Sequence, residues 1–421
     1  MTQTQAREST DLDAFRERAR EWLAANVRKR GAAQETEGVM GPSHEMGSPQ
    51  ERDYVTYARE LQAKMHDAGF AGITVPKEYG GQGLTRAHQV AWNREAAGYA
   101  VPAVNGLGFG LFIPTLLTHG TEEQRHYWIP KVLRNEKIFC QLFSEPGAGS
   151  DLAGVQSRAE RHDGEWILNG QKVWTSGAQI ADIGGGPFRT DSDLPKHQGL
   201  SFFIVDMKQS GVEVRPLRQI TGESHFNEVF FTDARVPAEN LVSSVGDGWR
   251  VSVTMLMNER MSLGGGGGGP QRRGGGEGAI VRLARELGIF GDAEVRDKVI
   301  DLFVQQRVLS MLGRRMAEET KGKPAGPEFS ILKLMGTRVA AQITELAPNL
   351  VGAGGAAWES HDSPGRRWSQ QMLASRSGKI AGGSDEILLN IIGERVLGLP
   401  QDPRVDKDVP FKELKQGTTK A

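Results

Sequence analysis

Between about residues 11 and 139, apolar positions recur at steps of three and four, as in DLDAFRERAREWLAANV and YVTYARELQAKMHDAGF, the spacing that lines one face of a helix. GTEEQRHYWIPKVL opens a further helix, with Thr121 and Gln124 at capping-box spacing. The polar stretch QETEGVMGPSHEMGSPQ reads as a loop. After Cys140 the period shortens. EWILNGQKVW sets Asn-Gly between two short apolar and β-branched runs, which predicts a hairpin turning at that dipeptide. GLSFFIVDM, GVEVRPL and NEVFFTDARVP continue the strand pattern to about residue 240. From Trp249 helical spacing returns, through VTMLMNERM, VRDKVIDLFVQQRVLSMLGRRMAEE, SILKLMGTRVAAQITELAPNLV and DEILLNIIGERVLGLP, the last stopped by Gly398 and Pro400. The expected organisation is therefore a helical domain over 1–139, a β domain over 140–245, a helical domain over 246–400 and a polar, extended tail over 401–421.

Composition narrows the function classes. The 421 residues suffice for two or three domains. Lys and Arg total 51 against 52 Asp and Glu, so no field of one sign favours nucleic acid or an anionic membrane. A single cysteine, Cys140, excludes a disulfide framework and fits a reducing cytoplasm. The nine histidines show no metal-ligand spacing, and no run of about 18 apolar residues predicts a membrane span. The start, MTQTQAREST, lacks the pattern of a signal peptide.

Three stretches carry candidate chemistry. FSEPGAGSD, Phe143 to Asp151, is a turn of glycines and small polar residues whose N–H groups and hydroxyls suit a phosphate or the polar edge of a ring, and equally suit a plain interdomain turn. NGQKVWTSGA brings Trp174, Thr175 and Ser176 together; an indole beside two hydroxyls either covers a planar cofactor or belongs to the core. GGSDEI, Gly382 to Ile387, reads as a helix start with Ser384 as N-cap, a setting that favours an acceptor atom.

In order and spacing these stretches resemble the acyl-CoA dehydrogenase family, flavoenzymes that introduce a trans double bond between the α and β carbons of an acyl-CoA thioester. The resemblance covers about residues 10 to 400. FSEPGAGSD is similar to the family's first signature, WILNGQKVWTSGA to its middle-domain hairpin, FNEVFFTDARVPAENLV to the strand leading out of that domain, and IAGGSDEILLNIIGERVLGLP to its C-terminal signature. It implies an α+β multidomain fold: an N-terminal α-helical domain, a central β-barrel-like domain and a C-terminal four-helix-bundle domain.

The resemblance also implies roles. Leu142, Phe143, Ser144 and Ser150 contact FAD, Ser150 lying near the acyl-CoA as well. Trp174 and Ser176 match positions at the isoalloxazine ring. Asn349, opening NLVGAGG, matches a segment that meets the adenine half of a neighbouring subunit's FAD, while Ser384 and Glu386 fall in a further FAD segment and Gly383 on the substrate side. Two stretches depart from the family. The arginine–phenylalanine–glycine segment, whose arginine reaches the FAD phosphate, is not recognisable; LGGGGGGPQRRGGGEG stands there, with Arg272 or Arg273 as candidate substitutes that nothing in the sequence singles out. IGGGPFRTDSD, 183–193, is richer in glycine than the strand expected at that point, so poor local order is expected in both stretches.

The reaction needs a base for the α proton while the β hydrogen leaves as hydride. Many members place a glutamate immediately before the glycine of the C-terminal signature; here that position is Gly382. The isovaleryl and long-chain type carries it on the first helix of the C-terminal domain, before an arginine, and MNERM matches with Glu259 and Arg260, the latter on the substrate side. Val251, Met255 and Glu259 share one helix face, so Glu259 is expected to point inward, where burial strengthens a carboxylate as a base. A solvated Glu-Arg pair at a helix end is the plainer alternative. Glu145 is expected to shape its turn rather than to act as base, and Glu394 lies too far along the last helix. The implied activity is FAD-dependent acyl-CoA dehydrogenation, with electrons passed to an electron-transfer flavoprotein in fatty-acid β-oxidation by a cytoplasmic homo-oligomer, dimer or tetramer. The alternatives are a subunit of a hetero-oligomeric acyl-CoA dehydrogenase and a flavin monooxygenase or oxidase on the same fold.

Overall fold

The computed structural model describes residues 3–29, 47–264, 278–319, 326–357, 363–403 and 406–414. Five helices come first: α1 (Gln3–Asn26), α2 (Pro49–Asp67), α3 (Arg86–Glu95), α4 (Ile113–His119) and α5 (Glu122–Leu133). Sequence sets their ends. Ser48 caps α2 by accepting from Glu51, and Thr121 and Gln124 form the reciprocal capping box at α5. The apolar faces of α1, α2 and α3 meet in one core, where Phe15, Leu23, Leu61 and Met65 surround Phe70 stacked on Trp92 at 4.8 Å.

The strands are β1 (Phe139–Gln141), β2 (Arg158–His162), β3 (Glu165–Lys172), β4 (Ile183–Arg189), β5 (Leu200–Asp206), β6 (Val212–Leu217), β7 (Phe226–Pro237) and β8 (Leu241–Val242). They form one sheet in the order β6-β7-β3-β2-β4-β5-β8, with β1 pairing parallel to β4. Trp166, Leu168, Phe188, Phe203, Val229 and Phe231 fill its core. Each such side chain contributes about 1.5–3 kcal/mol on burial.

Two strand-level expectations need correction. The chain does not turn at Asn169-Gly170: β3 runs through it with a register shift, and the hairpin closes instead at Asp163-Gly164, both at positive φ (48° and 84°). That pair satisfies a two-residue primed turn, while Gly170 is needed because a Cβ there would stand 2.3 Å from the Ser157 hydroxyl. Nor does the glycine run 184–186 weaken the strand. β4 is buried throughout, and a Cβ at Gly186 would fall 1.9 Å from the Leu142 carbonyl oxygen, so these glycines let β1 and the residue after it press against β4.

The later helices are α6 (Gly248–Gly264), α7 (Ala279–Glu286), α8 (Ala293–Glu319), α9 (Phe329–Val351), α10 (Ala353–Ala356), α11 (Pro364–Gly378) and α12 (Asp385–Ile391). Ile280, Leu283, Val299, Leu302, Val339, Ile343 and Trp368 pack α7, α8, α9 and α11 together. The chain divides into two compact units. One holds the first five helices, the sheet, α6 as far as Met255 and the C-terminal segment; the other holds Ile220–Gly222 and the chain from Leu256 to Pro403. Among the described residues no helix is long and apolar enough to cross a membrane.

Candidate active site

In the first unit the signature turn is built around a buried ion pair. Lys172, with no solvent exposure, donates to Glu145 Oε1 (2.8 Å), the Phe143 carbonyl (3.2 Å) and the Pro187 carbonyl (2.9 Å). Glu145 also accepts from the backbone N–H groups of Gln156 (2.6 Å) and Ser157 (3.0 Å). Burial alone would raise the Glu145 carboxyl, but the Lys172 ammonium and these donors hold it below the ordinary carboxylate range. Glu145 thus shapes the turn, as expected from sequence. Lys172, its counter-ion, carried no signal beyond being a charge in a strand of alternating burial.

The turn leaves few groups open. Leu142 is wholly buried with its N–H donated to the Gly185 carbonyl at 2.9 Å, and the Phe143 ring is buried against Phe202. Ser144 is half-buried and Ser150 exposed, so of the four positions these two have accessible side chains.

Trp174 follows directly. It is 60% exposed and held at φ 59°, with its ring edge-on to Phe226 at 5.9 Å. A large indole in the left-handed region, facing solvent, is not core packing. Asn227 fixes the segment: its backbone and that of Thr175 exchange hydrogen bonds (3.0 and 3.1 Å), and its side chain donates to the Thr175 carbonyl (3.0 Å). The buried Thr175 hydroxyl has no partner among the described residues, and Ser176 beside it is half-buried. An exposed aromatic plate beside an unsatisfied hydroxyl fits the face and polar edge of a flavin ring.

In the second unit the focus is Lys333 on α9, 1% exposed, whose ammonium donates to the Gly383 carbonyl at 2.6 Å. Burial pushes this ammonium below the ordinary lysine value; Arg260 adds to that, while Asp385, Glu259 and Glu386 oppose it. Glu259, Arg260 and the turn leading into α12 are therefore within electrostatic reach of one buried cation. Val251 and Met255 are fully buried and Glu259, two turns on, is half-buried. Arg260 is half-buried with its Nε lacking a hydrogen-bond partner among the described residues, and burial lowers its guanidinium despite Glu259.

Gly382 and Gly383 both take positive φ, 68° and 100°, and Ser384 caps α12 by accepting from Ile387. Seven residues long, α12 is too short for its end to act as an anion site unaided. Glu386 is exposed, its carboxyl held below the usual range by its own backbone N–H and the Ser384 hydroxyl. Asn349 stands apart from this group. It lies 16 residues beyond Lys333 on α9, roughly 24 Å along the axis, exposed and donating to the Glu345 carbonyl. Arg272 and Arg273 lie outside the described residues.

Sequence models of three acyl-CoA dehydrogenase domains match the chain in order: N-terminal over residues 9–136, middle over 140–234 and C-terminal over 246–397. The chain belongs to the acyl-CoA dehydrogenase family. Acyl-CoA dehydrogenase IpdE1 of Mycobacterium tuberculosis is 36% identical over 94% of this chain and 99% of its own length. Among solved structures, the Tcur3481-Tcur3483 steroid ACAD superposes with a TM-score of 0.76 at 27% identity, covering 93% of this chain and 98% of that one. The ChsE4-ChsE5 complex from Mycobacterium tuberculosis gives 0.72, also at 27%, with 93% and 98% covered. The family is FAD-dependent, and the surroundings of Trp174 are in keeping with such a cofactor.

The exposure of Trp174 gives the first prediction. Trp174→Ala is expected to weaken FAD retention markedly while changing folding stability by no more than about 0.5 kcal/mol, as for surface positions. Thermal melting of the flavin-free protein beside FAD release from the holoenzyme checks it; a large loss of stability with normal retention would return the indole to a packing role.

Proposed function

We propose that this acyl-CoA dehydrogenase oxidises an acyl-CoA thioester to the trans-2-enoyl-CoA with Glu259 as base, and passes its electrons to an electron-transfer flavoprotein. The observation that carries this reading is the half-buried Glu259 beside Arg260, with the buried Lys333 holding Gly383 within reach of their charges. Bound FAD would supply the hydride acceptor. The chain's own residues do the rest. The Glu259 carboxylate takes the α proton; Arg260, whose Nε lacks an acceptor among the described residues, offers a donor to the substrate; and Gly383 borders the acyl group from a turn that Lys333 holds still.

In the first unit Trp174 covers the flavin ring, Ser176 and Thr175 meet its polar edge, and Ser144 and Ser150 bind along it, Ser150 also meeting the acyl-CoA. Leu142 and Phe143 shape that wall through the backbone. Ser384 and Glu386 take a further part of the cofactor. Asn349, exposed at the far end of α9, suits contact with FAD held by another subunit.

That last role requires an assembly. Val304, Val308 and Met311 are exposed at i, i+4 and i+7 on α8, an apolar stripe suited to a second acyl-CoA dehydrogenase chain. Two solved neighbours are named as pairs of different chains, which favours a second reading in which this subunit works in a hetero-oligomer. One of them is named as a steroid enzyme, so acyl groups bearing rings belong among the first substrates tried.

Purification of the chain alone, followed by anaerobic mixing with acyl-CoAs from short and straight to ring-bearing, tests these readings together. The expected outcome is a yellow protein whose flavin bleaches with one substrate class and is reoxidised by an electron-transfer flavoprotein. A folded, colourless protein that gains FAD and activity only with a sister chain selects the hetero-oligomer. Reoxidation by oxygen faster than by the flavoprotein selects an oxidase or monooxygenase.

A further inference from the structure

The segment that composition marks as a polar tail contains one aromatic residue, Phe411, and it is buried. The Phe411 N–H donates to the Leu194 carbonyl (2.9 Å), the Lys412 N–H to the Ser192 carbonyl (3.0 Å), and Pro410 pairs with Pro195. Residues 406–414 thus lie along the loop between β4 and β5. From there two lines run to the turn that follows Ser150. In the first, the Phe411 ring covers the Arg189 guanidinium at 3.6 Å, and Arg189, itself buried, donates to the carbonyls of Ala153 (2.6 Å), Val155 (3.2 Å) and Lys196 (2.6 Å). In the second, the Lys196 ammonium bridges Asp406 (2.7 Å) and Asp151 (3.0 Å).

The physical consequence is a shared dependence. The turn's carbonyls are satisfied by a cation that loses its hydration to do so, and Phe411 occupies the ring-stacking face that water would otherwise take. Asp406 neutralises a lysine that is only slightly exposed; with Asp151 it holds the Lys196 ammonium above its ordinary value although burial opposes this. Without these two residues Arg189 and Lys196 would be drawn towards solvent, and the chain from Asp151 to Val155 would lose its fixed geometry.

We propose that residues 406–414 are a working part of the acyl-CoA site: Asp406 and Phe411 act through Lys196 and Arg189 as positioning residues for the Asp151–Val155 turn, and so for Ser150. This rests on the reading that Ser150 meets the acyl-CoA. The C-terminal segment then sets substrate affinity without touching substrate.

The test compares Asp406→Asn, Phe411→Ala and the double variant in full-length, FAD-saturated protein. KM for the preferred acyl-CoA is expected to rise about 10-fold in the double variant, equivalent to about 1.4 kcal/mol, with kcat nearly unchanged. Amide exchange over residues 148–156 is expected to quicken even without substrate, while Phe411→Tyr with Asp406→Glu restores both. Unchanged KM and exchange, alongside a lower melting temperature, would reduce the segment to a stabilising strap and overturn the proposal. Asp406→Asn keeps the test open if loss of Phe411 prevents folding, since Asp406 is partly exposed. Ser150→Ala separates the two claims. If it leaves KM unchanged, the reading of Ser150 fails and the proposal with it; if it raises KM while the Asp406 and Phe411 variants do not, only the proposal fails.

Discussion

Glu259→Gln is expected to slow substrate-driven flavin reduction by about 10²–10⁴-fold, the range for loss of a general base, while acyl-CoA still binds. Glutamine keeps the length and shape of the side chain and removes only the basic oxygen. The position suits the role: Val251 and Met255, on the same face of α6, are fully buried, and the carboxylate shares the field of the buried Lys333. Stopped-flow reduction at saturating substrate, beside a binding titration, reads chemistry and affinity separately. A near-normal rate would leave Glu259 as a helix-end partner of Arg260 and return the search for the base to the beginning.

The largest effect on stability is expected from Lys172→Met, at about 3–5 kcal/mol, because it strips the cation from a buried carboxylate. Glu145 would keep the N–H donors of Gln156 and Ser157 but lose its neutralising charge. Neutralising both partners, with Glu145→Gln added, is expected to recover part of the loss. Proton linkage gives an independent check. The Glu145 carboxyl titrates lower in the folded chain than its unfolded value of 4.5, so the unfolded chain binds more protons in that interval. Its stabilisation is complete above about pH 4.5 and is lost as pH falls through the folded value. Urea melts of the native protein should show that acid-side slope. In Glu145→Gln the slope should shrink; an identical slope would assign acid sensitivity to other carboxylates.

Periodicity revealed the helical, β, helical order because each layer buries one face of its elements, and burial leaves a repeat of 3.6 or 2 in the apolar positions. The capping box at Thr121 was legible for a similar reason, since both partners lie within one turn. What eluded the sequence depended on distant neighbours. Asn169-Gly170 has the residues of a turn, but whether the chain reverses there depends on Ser157 and β7 lying alongside it. Three glycines in β4 look like a broken strand until Leu142, at Gly184 and Gly186, and Phe139, at Gly185, are seen to occupy the missing Cβ positions. Lys172 and Lys333 are charges at positions where water is excluded, and only partners 27 and 50 residues away account for them. From sequence alone Trp174 read more readily as core than as a cofactor plate, and its exposure at positive φ argues against the core.

The backbone at Gly382 also bears on how such an enzyme changes. A glutamate at this position is the alternative base of the wider family, yet here φ is 68°, a conformation that costs a non-glycine residue about 1–2 kcal/mol. With Glu259 as the proposed base, a lineage moving that base from 259 to 382 by single substitutions would first acquire a strained second carboxylate near the Lys333 cation, or else first lose its base. On that proposal the Gly382–Gly383 turn would act as a ratchet: until the turn itself is rebuilt, drift and selection could alter the acyl pocket while the proton keeps leaving by the same helix.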